Sequence, residues 1–206
     1  MQAMQTIIGS SALVALMAAS PAMAQSQTQL LKGQFAFSGD AVCVNSPAII
    51  TPTSYTPPGG FDANLTPIGV SNIISFSIQG VRTFNGDGTG SVTARTVSVG
   101  HGPTNTSTSA NDISGDFTYS LAADGTLTID QGPIDSVFVA GPRTGQQNRV
   151  SGIPTFIGRT SFDRNALTFA TFNPGVETIT RLVPAPELVE AVRICHRARI
   201  GNRLSR

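Results

Sequence analysis

Apolar and polar residues alternate along most of this chain with a period of two, the pattern of strands that bury one face. "KGQFAFSG" sets Phe35 and Phe37 against Gln34, Ala36 and Ser38. "NIISFSIQGVRTF" sets Ile74, Phe76 and Ile78 against Ser75, Ser77 and Gln79, "NGDGTG" turns the chain, and "SVTARTVSVG" returns it as a hairpin. "GDFTYSL", "GTLTID", "IDSVFVAG", "RVSGIP", "TFIGRTSF", "ALTFATF" and "VETITRL" follow, separated by "AADG", "DQGP", "GPRTGQQN", "DRN" and "NPG". Two stretches lack the period: a proline-rich loop near 46–70 and a polar, Ser/Thr-rich one near 100–112. The expected fold is all-β, an antiparallel meander of eight to ten strands. Closing it into a barrel removes the edges that would template aggregation. A β-sandwich is the alternative.

The C-terminal stretch "APELVEAVRICHRARI" supports two readings. Glutamates early and arginines late suit a helix and its dipole. As a strand, it places Val192, Ile194, His196, Ala198 and Ile200 on one face, and Arg193, Cys195, Arg197 and Arg199 on the other. The alternating Val and Ile favour the strand, with the apolar face inward and the arginines outward.

Composition supports a β fold and changes the picture at both ends. The chain has 21 Gly and 13 Pro, only 12% charged residues and a single lysine, Lys32, so surface helices have little material. "TIIGSSALVALMAAS" is an uncharged apolar run, and "PAMAQSQ" ends it with small residues at Ala22 and Ala24. This predicts a secretory signal peptide over 1–24, cleaved after Ala24, and one domain over 25–206. The destination is periplasmic or secreted. No second apolar stretch is long enough for a membrane-spanning helix. Net charge is +1, which implies no nucleic-acid partner. Arg193, Arg197, Arg199, Arg203 and Arg206 nevertheless crowd the last 14 residues, where an outward face would suit an anionic envelope surface.

The candidate chemistry is sparse. Cys43 and Cys195 are the only cysteines, and in an exported chain one disulfide uses both. It would tie the first strand region to the last, which become neighbours when a meander closes. Cys195 and His196 are adjacent in sequence, so on a strand they face opposite ways and do not form a catalytic pair. His101 and His196 have no metal-ligand spacing. "NGDGTG" opens like a calcium loop, but the twelfth position holds Thr96 instead of a bidentate Glu. No metal and no cofactor is expected. Asp112 and Asp116 read as loop carboxylates, Asn64 and Asn105 head glycosylation-type sequons, and no G-x-S-x-G is present.

The export signal, the "FNGDGTGSVT" hairpin and "ICHRARI" resemble small secreted proteins of Gram-negative bacteria, a resemblance that carries export but no activity. In architecture the chain is similar to calycin-type barrels such as lipocalins. That likeness implies that Gly33-Gln34-Phe35 occupies the first-strand G-x-W position. It also implies that one of Arg193, Arg197 or Arg199 covers the ring. The functional expectation is an exported barrel that binds a small apolar or amphipathic ligand, or an envelope component. Phe35, Phe37, Phe76, Phe117, Tyr119, Phe169 and His196 are its candidate lining. Two alternatives stand beside it. One is a small-barrel cyclase or isomerase using an inward Tyr119, Arg82 or His196. The other is a structural or adhesive envelope protein whose contact surface is Arg193, Arg197, Arg199 and Arg203.

Overall fold

The computed structural model describes residues 31–102 and 107–204. The signal segment 1–24, Asn105 and Arg206 lie outside the described residues. Four long strands come first and are joined in hairpin order: β1 (Lys32–Pro47), β4 (Asn72–Asn85), β5 (Thr89–His101) and β6 (Ser107–Leu121). A two-residue ladder of β2 (Ile49–Ile50) and β3 (Tyr55–Thr56) sits in the excursion between β1 and β4. Then follow β7 (Thr126–Ala140), β8 (Gln147–Ser151), β9 (Phe156–Thr160), β10 (Ala166–Thr171), β11 (Val176–Val183) and β12 (Leu188–Arg203).

All pairings are antiparallel, and the ladder returns on itself because β12 pairs with β1. The ring β1-β4-β5-β6-β7-β8-β11-β12 contains eight strands. One side of it is forked. β7 pairs with β8 near Ile134 and with β9 near Ile129, while β12 pairs with β11 at one end and β10 at the other. Thus β8–β9 and β10–β11 are two long strands, each broken in the middle. The breaks coincide: Gly152, with a φ of 73°, and Pro154 interrupt one strand, and Asn173-Pro174-Gly175 the other. A Cβ on Gly175 would lie 2.7 Å from Pro154 Cγ, so only glycine lets the two kinks nest.

Several expected boundaries shift. Residues 107–112, expected as loop, are strand, so the second polar loop is short. "DQGP" is not a connector but the middle of β7, where the register against β6 slips between Gly115 and Phe117. A bulge of this kind accommodates Pro133 inside a strand. The C-terminal segment is strand throughout 188–203.

Half the interior is solid. Phe84 makes edge contacts with Phe35 at 5.3 Å, Phe117 at 5.2 Å and Tyr119 at 4.8 Å, and Phe156 packs on Phe169 at 5.7 Å. Leu31, Leu127, Ile129 and Leu167 complete this floor, all essentially inaccessible. The buried Tyr119 hydroxyl donates to Leu31 O at 2.6 Å and accepts from Gly86 N at 3.2 Å, which ties the floor to the β4–β5 turn.

Cys43 and Cys195 are directly opposite in the β1–β12 register and form a disulfide. It spans 152 residues and pins the strand pair that closes the ring. The chain-entropy argument assigns such a link about 4–5 kcal/mol. A Cys43→Ala/Cys195→Ala variant is expected to lose an amount of this order in urea unfolding. Thiol labelling of the wild type without reductant is expected to leave its intact mass unchanged.

Candidate functional site

Above the aromatic floor the ring encloses a cavity of about 500 Å3, reached from the end where β1 finishes and β12 begins. Inward positions of the strands build its walls. On β4 these are Asn72, Ile74, Phe76, Ile78 and Arg82, the even-numbered set that the sequence pattern predicts. β12 contributes Ala191, Arg193, Arg197 and Arg199. Opposite them stand Val92 and Thr96 on β5, Ile113 on β6, Ile134 and Ser136 on β7 and Val150 on β8. One wall is therefore cationic, and the other mixes aliphatic residues with small polar ones.

This reverses the expected orientation of β12. Arg197 and Arg199 are each only 5% exposed, while His196, Ala198 and Ile200 face solvent. The physical reason is parity. Cys43 lies on the same face of β1 as Phe35 and Phe37, and a bridge between paired strands requires Cys195 to share that inner face. Arg193, Arg197 and Arg199 are separated from Cys195 by even steps and come inside with it. They cannot serve as an outer contact surface for an anionic envelope, and His196 does not line the cavity.

The arginines are unevenly compensated. Glu177 of β11, fully buried, accepts from Arg193 Nε at 2.9 Å and from Arg197 Nη2 at 2.6 Å, and Arg197 Nη1 bonds its other oxygen. Burial opposes ionisation of Glu177, but the charges of Arg193 and Arg197 outweigh it and hold the carboxyl below its ordinary range. Among the described residues Arg199 has no carboxylate hydrogen bond; its Nη1 donates to the carbonyls of Asp40 and Ala198. Burial, with Arg197 nearby, pulls Arg199 down to about 10. The rings of these three residues' common neighbour, Phe76, complete the wall: each guanidinium carbon lies 5.8–6.0 Å from its centroid.

Arg82 stands between floor and cavity. Its guanidinium carbon is 4.7 Å from the Phe117 centroid, 5.2 Å from Phe169, 5.5 Å from Phe37 and 5.8 Å from Phe156. Nη2 donates to Gln131 Oε1 at 2.9 Å, whereas Nε and Nη1 are buried without a hydrogen-bond partner. Burial and the charge of Arg199 pull Arg82 down to about 9, so it remains a cation at neutral pH.

Toward the mouth the lining turns neutral and polar. Asn45 donates to Asn72 Oδ1 at 3.0 Å, while the buried Oδ1 atoms of Asn45 and Asn111 have no partner. Glu190 at the rim gathers Gln146 at 2.7 Å, Asn148 at 3.1 Å and Arg143 at 3.2 Å. The β1–β4 excursion is anchored there by Ala48 N on Glu190 O and by Tyr55 Oη on Val189 O, both at 2.7 Å. Ile49, Ile50 and Val70 of that excursion complete the entrance.

Of the expected lining residues, Phe37 and Phe76 line the cavity. Phe35, Phe117, Tyr119 and Phe169 instead form the solid floor, so they fill the ring rather than shape a ligand. Arg203 is the arginine that covers Phe35, 4.6 Å from the centroid, with Nη1 donating to Lys32 O. Phe35 and Arg203 are cross-strand partners, whereas Arg193, Arg197 and Arg199 lie further along β12. Asp112 is an outer-face partner of Arg95, at 2.7 and 2.8 Å, and Asp87 caps its own turn through Thr89. Sequence reasoning missed Glu177 and the asparagines altogether. Their signal was their parity: each is a polar residue on the inward side of a strand.

No family model matches this sequence, and neither a curated protein nor a solved structure is similar to it.

Glu177 generates a prediction. Because its pKa is depressed on folding, its contribution is present above the ordinary value near 4.5 and is lost as pH falls through the folded pKa. Glu177→Gln leaves Arg193 and Arg197 buried without an anion and is expected to cost about 3–5 kcal/mol at pH 7. The difference between variant and wild type in denaturant titrations should shrink as pH is lowered below 4.5.

Proposed function

We propose that this is a binding protein that holds a small amphipathic molecule inside its β ring, in an oxidising compartment such as the periplasm or the extracellular space. The observation that carries the reading is the unfilled half of the interior. Protein cores are close-packed, and a hollow of about 500 Å3 is within the size range of small-molecule sites. Its lining mixes aliphatic and aromatic walls with a few fixed polar groups, the usual composition of such sites. The disulfide fits an oxidising compartment. The calycin-like reading is supported by the first-strand Gly33-Gln34-Phe35 and by Arg203 lying across the Phe35 ring.

Two competing readings are weaker. A contact surface built from Arg193, Arg197, Arg199 and Arg203 loses the first three to the interior, and Arg203 is held across the Phe35 ring. A small-barrel enzyme would need an inward acid or base; of its three candidates only Arg82 lines the cavity, and the lining carboxylate Glu190 is held at the rim by Gln146, Asn148 and Arg143. An arginine is a poor proton-transfer group at neutral pH.

The reading is tested by native mass spectrometry of protein purified from its own host without detergent or solvent. The expected spectrum shows a noncovalent adduct of small-molecule size that leaves on collisional activation. Thr96→Trp, which puts an indole into the cavity, is expected to abolish the adduct while keeping the disulfide and the β circular-dichroism signal. An adduct that persists in this variant would place the ligand elsewhere.

A further inference from the structure

We infer that the cavity selects an organic oxyanion, a carboxylate, sulfonate or phosphate on an apolar body, and seats the charged group against the arginine wall of β12. This rests on the cavity being the ligand site and adds the chemical class of the ligand. Charge is the first argument. Arg82, Arg143, Arg193, Arg197 and Arg199 line the cavity against one lining carboxylate, Glu190. Glu177, behind the wall, is already committed to Arg193 and Arg197. Arg143 is half exposed at the rim and paired with Glu190, so the excess inside comes from Arg82 and the β12 arginines, where water screens charge poorly.

Unmet donors are the second argument. Arg193 engages Glu177 through Nε, and no hydrogen bond among the described residues engages its Nη1 or Nη2. Arg82 is 5% exposed, touches no carboxylate, and keeps two N–H groups without a hydrogen-bond partner. Buried unpaired charge destabilises a fold, and removing such a charge by mutation is easy, so its presence points to a counter-charge supplied from outside. Guanidinium groups match the planar, two-oxygen face of an oxyanion, and a cation would be repelled by the same wall.

Shape supplies the third. The arginines occupy one side, while Val92, Ile113, Ile134 and Val150 stand on the other among Thr96, Ser98, Asn111, Ser136 and Asn148. A molecule with its charge at one edge and an apolar body beside it satisfies both walls at once. A fully apolar ligand would leave the cationic side unpaired, and a small inorganic anion would leave the apolar side wet.

The experiment uses two fluorescent probes with the same aromatic body. 1-Anilinonaphthalene-8-sulfonate carries a sulfonate, and N-phenyl-1-naphthylamine does not. The disulfide-intact protein, stripped of any co-purified molecule, is titrated with each. The sulfonate is expected to bind with one-to-one stoichiometry and about tenfold or more tighter than the amine, the difference that charge-assisted hydrogen bonds make. Arg193→Gln and Arg82→Met are each expected to reduce that preference. If one variant fails to fold, the wild-type ratio and the other variant decide.

Equal affinity for the two probes, or a preference unchanged by both substitutions, overturns the oxyanion assignment while leaving a cavity that binds ligands. Failure of both probes to bind overturns the binding reading itself.

Discussion

Everything inside this molecule depends on how β12 is set against β1. A strand that closes a ring has no freedom to slip by one residue, because a one-residue slip turns every side chain to the opposite face. Here the register is fixed twice. Phe35 and Arg203 pair at one end, where the arginine lies over the ring and reaches Lys32 O. Cys43 and Cys195 pair further along and are covalently joined. With both fixed, Arg193, Arg197 and Arg199 have no orientation available but inward.

That inward placement sets the electrostatics of the site. Burying guanidinium groups is unfavourable unless something opposite is buried with them, and β11 supplies one carboxylate, Glu177, directly across from Arg193. Its two oxygens can serve only part of the cluster. Arg199 falls back on backbone carbonyls, and Arg82 on four phenyl rings and one glutamine. The outer surface mixes short Ser and Thr side chains with exposed apolar ones such as Val42, Val97 and Ile200, and its ion pairs, such as Arg95–Asp112 and Arg149–Asp135, are half exposed and contribute little.

The architecture was legible because strand formation is local. Period-two alternation marks the strands, and glycine-rich turns mark their ends, so the meander can be read from residues a few positions apart; the disulfide was legible because the chain has only two cysteines. Arg82 was legible as well, since it continues the inward parity of Ile74, Phe76 and Ile78. The face of β12 was misread by weighing hydrophobicity alone: Val192, Ile194 and Ile200 look like a core stripe. The correct constraint was in the sequence, in the common parity of Cys43 with Phe35 and Phe37, but using it requires coupling two segments far apart. The bulge that carries "DQGP" through β7 is a different case. It depends on the mismatch between Gly115–Phe117 and the facing strand, which no single segment contains. Which phenylalanines fill and which line was likewise decided by their height along the ring, not by residue type.

The division of the ring into a packed floor and an open upper half follows from residue size along the inward positions. Toward the floor these are large: Phe35, Phe84, Phe117, Tyr119, Leu127 and Phe169 meet across the ring and leave no room. Higher up, Thr96, Ser98, Ser136, Asn148 and Ala191 are interspersed among the larger lining residues and are too short to meet across the same span. Arg82 lies at the transition, long enough to cross from β4 and cationic enough to stack on rings that would otherwise end at a void. A chain selected only for stability would continue the large apolar residues upward. Small polar residues facing a wall of arginines give up that packing, and the loss is consistent with a molecule occupying the space in the working protein.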